Sequence, residues 1–402
     1  MKNIISIAII TFLTSSALFG QTYLDSTINS STKKILLGEK GFSIGSYGEA
    51  HYNAPIEKGK FRNGTADLHR VILFLGYKFN KKLQFFTEIE FEHVKEVYVE
   101  QAYVDYSFNS AVNLKAGVIL IPMGYVNEFH EPTLFNGVER PAVDKYIIPT
   151  TWREIGLGLH GLIKKANLKY QVYAVNGFNG YNNGANISGS NGIRSGRQKG
   201  AKAVLRTPAV TGKLTFFGFN GLRLGVSGYY GFSESNLYNG ISRDDETAVA
   251  TADSTRLEIG MVAANLQYNI AGFQLMIEGN YTSFGNSGEY NEYVMNNHAG
   301  TNSNVAKEVM GFYTELSYRW KLKKEQNFPQ LIPFVRYENY DTHMTVGRGL
   351  TENDGYNREV LTAGLGFQLL PGIIFKTDYQ WLKTVSEPRP TGMFNLGFGY
   401  WF

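Results

Sequence analysis

The sequence predicts an all-β protein, a 16-stranded antiparallel transmembrane β-barrel with a long third external loop folded into the lumen. Three observations predict it. Segments of about ten residues alternate apolar with small or polar side chains, which is the period and length of a tilted membrane strand. Short and long connections between these segments take turns along the chain, as periplasmic turns and external loops do in such barrels. Beyond the first twenty residues, no apolar run approaches the roughly 20 residues that a membrane helix needs.

The first of these regions reads as an export signal over residues 1–20. Lys2 supplies a positive start, Ile4 to Leu13 is apolar except for Ser6 and Thr11, and Ser15, Ser16, Ala17 and Gly20 are small. Gln21 follows the expected cut. The chain contains no cysteine, which excludes a lipidated N-terminus, disulfides and thiolate metal sites. Residues 21–41 form a short polar periplasmic lead, and 42–402 form the barrel. Gly 44, Tyr 26 and Phe 27 are high counts, while the mean hydropathy is only −0.22. A barrel hides its apolar face in such an average, because lumen and lipid positions alternate. The net charge of +4 says little about partners, and export excludes nucleic acid.

In order, the expected strands are 42–52, 68–79, 83–93, 97–108, 112–120, 153–163, 166–176, 199–206, 221–232, 255–268, 272–284, 308–320, 331–340, 357–369, 372–383 and 392–402. Alternation is clearest where Val71, Leu73, Leu75, Tyr77 and Phe79 share a face, and again for Leu361, Ala363, Leu365, Phe367 and Leu369. The segment 199–206 alternates less well, and 207–220 has room for extra strand. Short links such as Asn80-Lys81-Lys82, Lys164-Lys165 and Leu370-Pro371-Gly372 separate long ones such as 121–152, 177–198 and 233–254. The even strand number puts both termini on the periplasmic side. With that topology, Tyr77, Phe79, Tyr106, Phe108, Trp320, Tyr400 and Phe402 fall near the inner rim. Tyr230, Phe232, Tyr281 and Trp381 fall near the outer one, so two aromatic belts emerge.

The final residues, FNLGFGYWF, place Phe394, Leu396, Phe398, Tyr400 and Phe402 on one face. They resemble the C-terminal strand of Gram-negative outer-membrane barrels, which the barrel-assembly machinery reads, here through Phe402. The segment from Ile121 to Trp152 is different in kind. Pro122, Pro132, Pro141 and Pro149 forbid regular strand, yet the segment is rich in aromatic and aliphatic residues. It is expected to fold into the barrel and narrow it. A lid packed over the external mouth is the other arrangement the residues allow.

The runs VEQAYVDYSF (Val99 to Phe108), AGVILIPMGYVNEFHEP (ending at Pro132) and PTTWREIGLGLHG (ending at Gly161) resemble outer-membrane porins of the phosphate-selective O/P type. The likeness covers roughly residues 83–163. It implies a homotrimer of 16-stranded barrels in outer-membrane lipid and lipopolysaccharide, with the third loop inside each channel. It further implies passive diffusion of small hydrophilic solutes or ions, anions such as phosphate among them. The arginine ladder of the anion-selective members does not carry over. The in-folded segment holds Glu128, Glu131, Glu139 and Asp144 against Arg140 and Lys145. The constriction candidates are Asn127, Glu128, His130, Glu131, Arg140, Asp144 and Lys145.

Charged strand residues should face the lumen, since Lys or Arg at the bilayer midplane costs about 2–4 kcal/mol. On that rule Glu88, Glu90, Glu92 and Asp105 crowd the third and fourth strands. Lys115 lies on the fifth, and Lys169, Lys202, Arg206 and Arg223 lie on the seventh to ninth. Facing patches of opposite sign focus a field across a narrow channel. Enzyme signals are poor: H-E-x-x-H is absent, and His130 lacks a second histidine nearby. No cofactor or metal is expected. A barrel enzyme or adhesin acting through its external loops is the alternative function. A plugged transporter of about 22 strands needs a longer chain.

Overall fold

Alternation along each strand closes one sheet into a cylinder. The structure is a computed structural model describing residues 40–57, 59–298, 304–323, 326–347, 349–387 and 389–402. Its strands are β1 (Gly41–Glu57), β2 (Thr65–Lys78), β3 (Leu83–Glu92), β4 (Glu96–Ser107), β5 (Asn113–Leu120), β6 (Arg153–Ile163), β7 (Leu168–Val175) and β8 (Ala209–Phe216). They continue as β9 (Leu222–Phe232), β10 (Glu258–Ile270), β11 (Phe273–Gly285), β12 (Glu308–Tyr318), β13 (Gln330–Thr345), β14 (Asn357–Leu370), β15 (Ile373–Thr384) and β16 (Thr391–Trp401). Each pairs antiparallel with the next, and β1 pairs with β16 from Tyr47↔Trp401 to Ile56↔Gly392. The barrel is therefore closed and 16-stranded.

Two-residue strands at Lys60–Phe61 and Trp320–Lys321 only extend hairpins of this sheet. A separate parallel pair joins Asn179–Tyr181 to Glu234–Ser235. Among the described residues, three α-helices lie in the connections: α1 (Val143–Tyr146), α2 (Glu246–Ser254) and α3 (Ser287–Asn297). Among the described residues no helix is long and apolar enough to cross a membrane.

The two faces differ as the strand period requires. In β9, Arg223, Gly225, Ser227 and Tyr229 are buried, while Val226 is 55% exposed and Tyr230 52%. β8 repeats this with Thr211, Lys213 and Thr215 inward and Val210 and Leu214 outward. The exposed apolar side chains run round the whole cylinder, far beyond the patches that soluble monomers show. Aromatics gather at strand ends, where Tyr77 packs on Phe79 and Tyr106 on Phe108, each at 4.9 Å.

Three expectations need correction. The eighth strand is Ala209–Phe216, not 199–206. Lys199, Gly200 and Lys202 have φ of 55°, 71° and 51°, and three left-handed residues in four cannot extend as a strand. The shift also repairs the loop rhythm, because the link from β8 to β9 becomes short and the one from β7 to β8 long. Lys202 and Arg206 consequently leave the wall and lie in that connection, both exposed. The third correction concerns parity. In the β3–β4 pair, Glu88 faces Gln101 but Ile89 faces Val99, so Glu100 is an extra residue. This bulge turns Glu100 inward beside Gln101, which strict alternation cannot foresee. The expected signal peptide and all but the last two residues of the polar lead lie outside the described residues, and Gly41 already belongs to β1.

A charge on the outer face separates a lipid-facing wall from a water-facing one. Val226→Arg, halfway along β9, is expected to lower folding stability in lipid vesicles by about 2–4 kcal/mol, against about 0–1 kcal/mol for Phe219→Arg in the short turn after β8. Reversible guanidinium unfolding in vesicles measures both. Equal effects would contradict a bilayer around this face.

Candidate functional site

The segment 121–152 connects β5 to β6, and its base is tied by one side chain. Asn127 Nδ2 donates to the carbonyls of Ile121 (2.7 Å) and Trp152 (3.0 Å), and its Oδ1 accepts from the Trp152 amide at 2.7 Å. The Ile121 amide also donates to the Trp152 carbonyl at 3.0 Å. With its ends clasped, the segment has no ladder for its backbone groups, which buried must still find partners. Inward-facing side chains supply them. Tyr125 N–H donates to Glu278 Oε2 on β11 (2.7 Å), and Gly124 N–H to Ser227 Oγ on β9 (3.2 Å). Val138 N–H donates to Asp378 Oδ2 on β15 (2.6 Å), and Val143 N–H to Glu338 Oε2 on β13 (3.3 Å). Cations take the carbonyls: Arg336 binds those of Asn136 (3.2 Å) and Glu139 (3.1 Å), Lys376 that of Phe135 (2.9 Å), and Arg70 that of His130.

The cations are balanced in turn. Arg336 sits 3.0 Å from Glu338 and 3.3 Å from Glu315, and Arg70 lies 2.6 Å from Glu49. Lys213 on β8 is 2.6 Å from Glu128, which also has Lys169 at 3.7 Å and accepts from Gln171 at 2.9 Å. An apolar cluster shares this space, in keeping with the aromatic and aliphatic content of the segment. Ile121, Met123, Val126, Val143, Ile147 and Ile148 pack with Trp152, whose ring stacks on Phe178 at 4.7 Å and meets Tyr229 at 5.0 Å.

No protein-family model matches the chain. A protein of Aquifex aeolicus (strain VF5), described as an uncharacterized protein, is 32% identical over 357 residues, which is 86% of this chain and 77% of that one. The two proteins belong to one family. Among solved structures, the outer membrane channel DcaP of Acinetobacter baumannii superposes with a TM-score of 0.56 at 12% identity, over 90% of this chain and 98% of that one. Salmonella typhi OmpF, in complex with daunomycin, gives 0.54 at 14% over the same shares. The anion-selective porin from Comamonas acidovorans gives 0.53 at 10%, over 90% and 100%. At such identities these likenesses establish the fold that the family shares with them.

Within that fold the constriction candidates divide. Asn127 is the clasp. Glu128 is held by Lys213, Lys169 and Gln171. His130 is buried with Nε2 3.0 Å from the Tyr47 hydroxyl and 3.3 Å from Glu100. Glu131 and Asp144 are buried, and Asp144 lies against the Glu278 carboxyl. Arg140 approaches Glu49 at 3.7 Å, and Lys145 is exposed with its ammonium 5.6 Å from the Tyr146 ring. On the wall, Glu88 accepts from Gln101 (2.9 Å), Asp105 meets His160 (2.7 Å), and Lys115 lies 4.2 Å from the Tyr103 ring centre. Arg223 lies 5.7 Å from the Phe129 ring. Glu90 is buried, and Glu92 is 29% exposed at the outer end of β3. Arg206, off the wall, stacks on Tyr238 at 3.8 Å. Sequence reasoning missed Lys213, Glu49 and Glu100. Alternation in AVTGKLTF marks Lys213 as inward, and parity with the apolar Phe42 and Ile44 marks Glu49. Glu100 has no sequence signal.

Two acids of the segment have opposite environments. Burial pushes the Glu128 carboxyl up, but the ammonium groups of Lys213 and Lys169 outweigh it and hold it at about 2. Burial raises the Glu131 carboxyl to about 7. A raised carboxyl contributes stability below its unfolded value of about 4.3 and loses it as pH rises through the folded value. Glu131→Gln should therefore raise the thermal midpoint at about pH 8.5 and leave it unchanged at about pH 4. Band shifts on unheated and heated gels measure this, and equal shifts at both pH values would contradict it. For the clasp, Asn127→Ala leaves buried backbone groups unpaired at about 1–3 kcal/mol each. Amide hydrogen exchange across 121–152 should quicken in this variant while exchange in β10 to β16 stays the same.

Proposed function

We propose that the chain is an outer-membrane porin through which small hydrophilic solutes or ions pass down their gradients, with 121–152 as the constriction. One observation carries this reading: a closed cylinder is apolar on its outer face and charged on its inner face, and a non-repetitive segment is hydrogen-bonded to that inner face. An apolar belt needs lipid, and an inner face rich in ionic groups needs water. Export through the N-terminal signal and assembly through Phe402 follow from the same reading. So does the homotrimer that the porin resemblance implies.

Charge along the wall supports field-guided passage. Glu88, Glu90, Glu100 and Asp105 lie on β3 and β4, while Lys115, Lys169, Lys213 and Arg223 lie on β5 and β7 to β9. Opposed patches orient water and favour small polar solutes over apolar ones. Phosphate is one solute this field admits beside neutral sugars and cations. The proposal assigns no bond-making step to the protein.

Purified protein in planar bilayers is expected to show discrete conductance steps, and liposomes carrying it should swell in small sugars and in phosphate. A lumen that passes no current would overturn the reading and favour a protein that works through its external loops. Lys115→Glu with Lys169→Glu should move the reversal potential in a salt gradient toward cation preference. An unmoved potential would remove the field from the account.

A further inference from the structure

Three of the seven histidines converge toward the outer ends of β1, β2 and β3. Two backbone irregularities bring them together. Glu49 faces Arg70 across β1 and β2, but His51 faces Asp67, so β2 carries an extra residue there. His69 and Arg70 consequently both turn inward. In the turn after β3, His93 and Val94 adopt φ of 52° and 64°, a left-handed pair in which a β-branched residue is rare. The turn folds His93 back over β2, where its amide donates to the His69 carbonyl at 3.2 Å.

The resulting group has the donor set of a metal site. Asp67 Oδ2 lies 2.6 Å from His93 Nδ1 and 3.5 Å from His69 Nδ1. The two imidazole rings are 5.3 Å apart and inclined at 72°. One donor atom from each of Asp67, His69 and His93 falls within 4.8 Å of the others. Side-chain exposures of 29%, 29% and 46% leave the group open to an ion from solution. Glu92, 3.8 Å from His93 Nε2, adds negative charge. His51 stacks on His69 at 4.8 Å, and its nitrogens lie 3.3 Å from Glu49 and from Glu139, so the rings are held from behind.

We infer that Asp67, His69 and His93 form a binding site for a divalent transition metal of the Zn2+ class at the outer rim of the barrel. Two imidazoles and one carboxylate with a position left for water suit Zn2+, Co2+, Ni2+ or Cu2+, and they suit Ca2+ and Mg2+ poorly. Bound metal crosslinks β2 to the turn between β3 and β4. The site stands whether or not the barrel conducts, because binding is read without any flux.

The test uses the full exported protein, stripped of metal in detergent and titrated with Zn2+ against a chromophoric chelator. One equivalent per chain is expected, and Co2+ in its place should give the visible absorption of a four- or five-coordinate ion. His69→Ala and His93→Ala should each weaken Zn2+ binding by at least about tenfold. His298→Ala, elsewhere on the barrel, should not change it. Heat-modifiable migration on gels confirms that each variant is folded. The inference is overturned by the absence of saturable binding. It is equally overturned by wild-type affinity in folded His69→Ala and His93→Ala, or by the pale spectrum of six-coordinate aqueous Co2+.

Discussion

An irregular segment hydrogen-bonded to the inward faces of the strands has few places for its backbone polar groups except the wall, and this constraint organises the contacts. The wall answers with ionic side chains. Carboxylates of Glu278, Glu338 and Asp378 receive amides, and Arg70, Arg336 and Lys376 reach carbonyls. Charged acceptors and donors make stronger bonds than neutral ones, and they extend further from the strand than serine or threonine. Two of the cations that hold the segment have carboxylate partners of their own, Arg70 in Glu49 and Arg336 in Glu315 and Glu338.

The barrel itself was almost wholly legible. Period two, turn residues and the rhythm of connections are local signals, and they placed fifteen strands close to where they lie. The eighth failed because KAVLR, at Lys202 to Arg206, offers a short alternation that competes with AVTGKLTF. Nothing local reveals that Lys199, Gly200 and Lys202 take left-handed backbone. The site was legible only in part. Charge on a strand says inward, but which loop atom a charge meets depends on how the segment crosses the barrel. Asn127 was marked as a pore residue and serves as a clasp. Sequence marks Glu131 and Asp144 as pore charges, and both are buried. A bulge explains the miss at Glu100, since one inserted residue inverts the parity of all that follow it in a strand.

The apolar cluster around Trp152 changes how the interior is held. Were the segment fixed by ion pairs alone, salt and pH would loosen it together. Instead Ile121, Ile147, Ile148 and Trp152 are each at most 1% exposed, so the outward part of the segment is packed as a protein core is. Loops from other parts of the chain join it through Ile187, Ile193 and Tyr290. The inner space therefore combines a polar wall with a packed apolar body. The two are fixed by different physics: hydrogen bonds to charge on one side, exclusion of water on the other.

The join between β1 and β16 sets the order of events in assembly. Ser46 and Phe402 exchange both backbone hydrogen bonds, at 3.2 and 2.9 Å, so the end of β16 is stitched to β1. Until that stitch is made, the ribbon has two raw margins, each a row of unpaired amides and carbonyls that lipid cannot satisfy. The strand nearest the end of the sheet must arrive before its circumference can shut.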